Sequence, residues 1–102
     1  MRFLLRISIP METGNARIRD GSLPRTIQTI LQEQKPEAAY FTEIDGLRTA
    51  ILIVNLTDAS QIPALAEPWF LAFGATVRFH PVMSPEDLAK AGPAIEAAVK
   101  RY

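Results

Sequence analysis

The segment Thr49-Ala50-Ile51-Leu52-Ile53-Val54 is apolar on both of its alternating faces, and it follows an Asp45-Gly46 turn signal that makes it half of an antiparallel hairpin. Antiparallel strands normally alternate apolar and polar residues because one side of their sheet meets water, whereas strands covered on both sides read as continuous apolar runs. Something must therefore cover both faces. A chain of 102 residues has helix enough for one cover. The other cover is expected to be a second copy of the chain, unless the apolar stripe Leu88, Ala91, Ile95, Ala98, Val99 and Tyr102 of the C-terminal tail folds back over that face.

Length limits the chain to one domain, residues 1–102, with room for a core but not for a second, cofactor-binding unit. Eleven basic residues balance eleven acidic ones, so no long-range field draws the chain to nucleic acid or an anionic membrane. The absence of cysteine excludes thiol nucleophiles, disulfides and Cys-based zinc or iron-sulfur sites. Arg6 interrupts the apolar start Phe3-Leu4-Leu5 before the apolar core of a signal peptide can form, and no run is long enough to span a bilayer. The expectation is a soluble, cytoplasmic protein.

Period-2 alternation marks Arg2 to Ile9 as a first strand, with Phe3, Leu5, Ile7 and Ile9 on a purely apolar side and Leu4, Arg6 and Ser8 on the other. Ile18, Leu23, Ile27, Ile30 and Leu31 recur at helical spacing after it, with Thr13 or Asn15 as cap candidates. Gly21-Ser22 and Pro24 divide this helix into two pieces or kink it. Glu37 to Ile44 reads as the second strand. A two-residue turn then sets Ile44 opposite Leu47, Glu43 opposite Arg48, Thr42 opposite Thr49, Phe41 opposite Ala50 and Tyr40 opposite Ile51. Glu43 and Arg48 are expected to form a solvated ion pair of little energetic weight.

Asp58 or Ser60 caps the next helix, whose stripe Ile62, Leu65, Ala66, Trp69, Phe70 and Phe73 ends at Gly74. Pro68 is expected to kink it. Ala75 to Met83 is a last strand, placed at a sheet edge by Pro81, which has no N–H for a ladder. Ser84-Pro85-Glu86-Asp87 is a helix start. The tail breaks at Gly92-Pro93 and resumes through Ile95, Ala98, Val99 and Tyr102.

The order strand, helix, strand, strand, helix, strand is the α+β, ferredoxin-like βαββαβ pattern, here with a C-terminal helical tail. Right-handed crossovers put the first and third strands of its four-stranded antiparallel sheet at the centre. On this topology, the apolar hairpin, and the phrases Glu37-Ala38-Ala39-Tyr40-Phe41-Thr42-Glu43-Ile44-Asp45-Gly46 and Arg78-Phe79-His80-Pro81-Val82-Met83-Ser84-Pro85-Glu86-Asp87-Leu88, the chain resembles the dimeric α+β barrel superfamily. Small uncharacterised bacterial members are the most similar in kind. The resemblance implies two sheets packed face to face in a homodimer. Its members include muconolactone isomerases, cofactor-free antibiotic-biosynthesis monooxygenases and haem proteins, so it implies no single reaction.

If the apolar side of the first strand packs on the helices, Arg6 and Ser8 point into the space between the sheets. Arg78 and His80 join them from the last strand, and Tyr40, Thr42, Thr49 and Asn55 from the hairpin. A few polar groups in an apolar enclosure are the usual composition of a small-molecule site. Arg6 keeps its charge, so when enclosed it must meet a carboxylate, a carbonyl or an anionic ligand. The plain alternative is a structural ion pair. His80 is the only imidazole, and the choice is between a proton shuttle and an exposed edge-strand residue.

The ligand-binding candidates are thus Arg6, Ser8, Tyr40, Thr42, Arg78 and His80. His80 and Arg6 are the catalytic candidates should the chain be an enzyme. No metal and no cofactor is expected, because one His without an acidic cluster falls short of a ligand set. The leading expectation is a homodimer that encloses a small, mostly apolar or anionic molecule. The alternative is a cofactor-free isomerase or monooxygenase-like enzyme acting on a small cyclic or enol-type substrate. A third possibility is a dimer with a solid interface and no pocket.

Overall fold

A computed structural model describes residues 1–102. Strand β1 (Arg2–Ser8) leads into helices α1 (Met11–Arg19) and α2 (Ser22–Gln34). The hairpin β2 (Ala38–Ile44) and β3 (Leu47–Asn55) follows, then a 3-10 turn (Ala59–Gln61), α3 (Ile62–Phe73), β4 (Thr76–Pro81), α4 (Pro85–Lys90) and α5 (Gly92–Arg101). The protein is an α+β fold with one four-stranded antiparallel sheet in the order β2-β3-β1-β4. The two strands richest in apolar residues, β1 and β3, are central, and Pro81 lies on the edge strand β4. No helix is long and apolar enough to cross a membrane.

The Asp45-Gly46 turn has positive φ at both residues, 55° and 78°, as a type I′ turn requires. Its register is the one that a two-residue turn dictates, from Ile44 opposite Leu47 to Tyr40 opposite Ile51. One sheet face is the core. Leu5 and Ile7 of β1, Ile9 just after it, and Ala50, Leu52 and Val54 of β3 meet Leu23 and Ile30 of α2 and Trp69 and Phe73 of α3, all buried. Each full burial of a large apolar side chain contributes about 1.5–3 kcal/mol.

Two polar side chains fasten the helices over this face. Pro68 has no N–H to give to the Ala64 carbonyl four residues back. Gln34 Nε2 donates to that carbonyl at 3.2 Å and to Leu65 O at 3.0 Å, while Gln34 Oε1 accepts from Trp69 Nε1 at 3.2 Å. α3 therefore continues through Pro68. Arg17 of α1 donates to Ser22 Oγ (2.7 Å), Thr26 Oγ1 (2.8 Å) and the Ala72 carbonyl, and its guanidinium lies 4.8 Å from the Phe73 ring centre.

Several local expectations are corrected. α1 begins at Met11 behind Pro10, not at a Thr13 or Asn15 cap, and both residues lie within the helix. β2 starts at Ala38 rather than Glu37, and β4 ends at Pro81 rather than Met83. Phe70 is substantially exposed and stands outside the core that holds Trp69 and Phe73. Glu43 and Arg48 are in register but form no ion pair. Glu43 Oε2 accepts from the Gly46 N–H at 3.0 Å, and Arg48 Nη1 donates to Asn15 Oδ1 at 3.0 Å. Gly14 permits that crossing, since a Cβ there would lie 2.6 Å from Arg48 Nη1.

The C-terminal helices do not fold back over their own sheet. All of α5 beyond Gly92 is exposed, and its substantial packing is against α4 alone. The radius of gyration, 17.0 Å, exceeds the roughly 13 Å of a compact domain this long. The molecule measures 58 × 28 × 20 Å, with the tail projecting as an arm.

Candidate functional site

Directly opposed residues of an antiparallel sheet share a face, about 4.5–5.5 Å apart at Cβ, so the register maps the side of the sheet away from the helices. One row reads Tyr40, Ile51, Arg6, Arg78 across β2-β3-β1-β4. The row on one side is Thr42, Thr49, Ser8, Thr76, and that on the other is Ala38, Ile53, Leu4, His80. The six candidates Arg6, Ser8, Tyr40, Thr42, Arg78 and His80 therefore stand on one face, around the half-buried apolar centre Leu4, Ile51 and Ile53. We call it the open face.

Each polar group there has a different local status. Ser8 Oγ lies 3.2 Å from Thr49 Oγ1, which donates onward to the Leu47 carbonyl at 3.0 Å, so this hydroxyl chain is internally satisfied. Thr42 bonds weakly to the Glu43 carbonyl, at 3.4 Å, and Tyr40 is well exposed. Arg78 and His80 are exposed, and no hydrogen bond from either side chain is formed within the subunit. Asn55 is engaged by the chain's own start, accepting from the Met1 ammonium at 2.9 Å, while Arg2 beside it holds Glu37 at 3.0 Å.

Arg6 is the unusual residue. Its side chain is 25% exposed, and its Nη2 reaches Asp45 Oδ2 at 3.2 Å. Its Nε is buried with no partner. Arg78 is its direct cross-strand neighbour, a like-charge juxtaposition that is destabilising by itself. Asp45 is itself 82% exposed, so it offsets only part of the desolvation of Arg6. The pairing with Asp45 is one that the residues alone did not suggest, because Asp45 is fully accounted for as a turn residue. Ile51, opposite Arg6, and Asp45 are about 20 Å apart along an extended strand, farther than an arginine reaches. The hairpin tip must therefore curl toward the open face to bring Asp45 within reach of Arg6.

Within one subunit the two largest concave spaces lie elsewhere. A cleft of about 660 Å³ at the sheet end is lined by Met1, Arg2, Asn55, Pro81, Met83 and Asp87 among others. A groove of about 540 Å³ between α2 and the β2 edge is lined by Pro24, Ile27, Leu31 and Phe41 with two glutamines. Neither contains Arg6, Arg78 or His80. The open face is a floor without a roof, and a second surface must close it before it can enclose a molecule. No three His, Asp or Glu side chains converge as a metal cage.

Three carboxylates lie below their ordinary pKa of 3.8, and all three are turn or cap groups. The Ser22 hydroxyl and N–H lower Asp20, the Ser60 N–H and hydroxyl lower Asp58, and the Ser84 N–H and hydroxyl lower Asp87. Asp58 and Asp87 belong to capping boxes, with Gln61 and Ser84 respectively. Their chemistry is that of helix starts. Compared with known protein families the chain matches none, and no curated protein matches it significantly.

Proposed function

We propose that the chain is a ferredoxin-like domain that dimerises as an α+β barrel, open face to open face, and holds a small, mostly apolar anion between the two sheets. The strand order and the apolar centre Leu4, Ile51 and Ile53 support the architecture. The observation that carries the ligand class is Arg6. A largely buried guanidinium on the central strand keeps an unpartnered Nε, faces a second cation in Arg78, and has only a solvated carboxylate for company. An anion there would offset the desolvated charge of Arg6 and remove its repulsion with Arg78 at once. Tyr40 and Thr42 supply hydroxyls on the same face, and the intervening isoleucines accommodate apolar bulk.

Calorimetric titration with salicylate as probe tests this. The wild-type chain should bind it, and Arg6→Met or Arg78→Met should weaken binding at least tenfold. Salicylate affinity unchanged by either substitution, or no heat of binding for the wild type, would overturn the assignment.

A second reading, a cofactor-free enzyme, is favoured by one placement. His80 lies on the same face as Arg6, one row away and two residues from Arg78. An imidazole there is positioned to move a proton on an enol-type substrate while Arg6 stabilises the oxyanion. Accelerated enol-keto conversion of phenylpyruvate, lost in His80→Ala while binding is retained, would establish it. Equal rates with and without the protein would remove it.

A further inference from the structure

We infer that the C-terminal arm, Pro85 to Tyr102, packs on the partner subunit of the dimer and is exchanged reciprocally. This rests on the dimer reading above. Leu88, Ala91, Ile95, Ala98 and Tyr102 recur at spacings of three and four, the pattern of a helical seam that faces another surface. Yet Tyr102 is 98% exposed and Val99, beside the seam, 74%. A ten-residue helix is marginal by itself in water, so α5 needs a surface to lie on. Its own subunit does not provide one. Glu86, Asp87 and Glu96 balance Lys90, Lys100 and Arg101, so no net charge draws the arm to an anionic membrane.

Area identifies the second copy as the occupant. Four strands spaced about 4.8 Å apart and seven residues long present an open face of roughly 450 Å². A stable interface takes about 800 Å² from each partner. The sheet alone falls short. The arm spans about 25 Å at 1.5 Å per residue and is about 10 Å wide, a footprint of roughly 250 Å². Because each subunit both gives an arm and receives one, exchange adds roughly twice that to each side and brings the interface to the size of a stable dimer.

The chain has no cysteine, so Val99→Cys labelled with a benzophenone maleimide places one photo-crosslinker on the arm. In a mixture of ¹⁵N-labelled and unlabelled chains that sediments as a dimer, crosslinks should join heavy to light chains. Ile95→Glu with Val99→Glu should raise the dimer dissociation constant at least tenfold. A chain ending at Ala91 should show the same loss, with Trp69 fluorescence reporting that the core stays folded. A dimer whose crosslinks lie within single chains, or whose dissociation constant is unchanged in both variants, overturns arm exchange and leaves the face-to-face dimer standing. A wild-type chain that sediments as a monomer overturns both.

Discussion

Arg6→Met separates a structural arginine from one kept for a site. The substitution removes one ion pair, to a carboxylate that is 82% exposed, and exposed pairs contribute about 0–1 kcal/mol. It relieves the direct opposition of Arg6 and Arg78, where cross-strand pairs are worth about 0.2–1 kcal/mol. It also removes a desolvated, unbonded Nε, and an unsatisfied buried donor costs about 1–3 kcal/mol. Met is close in length to the aliphatic part of arginine and fits the apolar surroundings. The balance runs from near neutral to about 4 kcal/mol in favour of the variant. Urea unfolding followed by Trp69, the only tryptophan and fully buried, reads the change at fixed protein concentration. Loss of more than about 2 kcal/mol would show that the Asp45 pair is a structural necessity, and the argument for an anion would lose its basis.

Other consequences follow from single contacts. Gln34→Leu should cost about 1–3 kcal/mol, because the Trp69 N–H and the Ala64 carbonyl that Pro68 leaves free both lose their partner. A shift of Trp69 emission should accompany it, and an unchanged urea midpoint would contradict it. Gly46→Ala puts a Cβ at φ 78° and should destabilise the hairpin by about 1–2 kcal/mol, readable as faster amide exchange in β2 and β3. The folded pKa values of Asp58 and Asp87 lie below their ordinary 3.8. Their contribution is therefore complete above that value and lost as pH falls through the lower, folded one. The thermal midpoint of the wild type should drop more steeply below pH 4 than that of an Asp58→Asn, Asp87→Asn variant, and parallel curves would refute the capping assignment.

The features legible in the chain are those written in short-range patterns. Alternation along β1 assigned Arg6 and Ser8 to the open face, and Asp45-Gly46 determined every pair of the hairpin. Ser84 and Asp87 announced α4 through their reciprocal cap. What escaped depends on long side chains meeting across sequence. Arg48 bypasses the Glu43 opposite it because Gly14 opens a path to Asn15, and Arg6 finds Asp45 because the hairpin curls. The start of α1 was hidden because Pro10 offers no capping side chain, so the nearest Thr and Asn attract the assignment. Phe70 misleads because α3 is apolar on nearly all sides, which leaves no contrast to mark the edge of its buried stripe.

The open face can be interrogated directly by isotope-filtered nuclear Overhauser spectroscopy on an equal mixture of ¹³C-labelled and unlabelled chains. The methyl groups of Leu4, Ile51 and Ile53 should show contacts to the unlabelled chain, weakened by Ile51→Asp. Contacts confined to the labelled chain, in a sample sedimenting with the mass of one subunit, would mean that this side of the sheet faces water and that no second copy closes it.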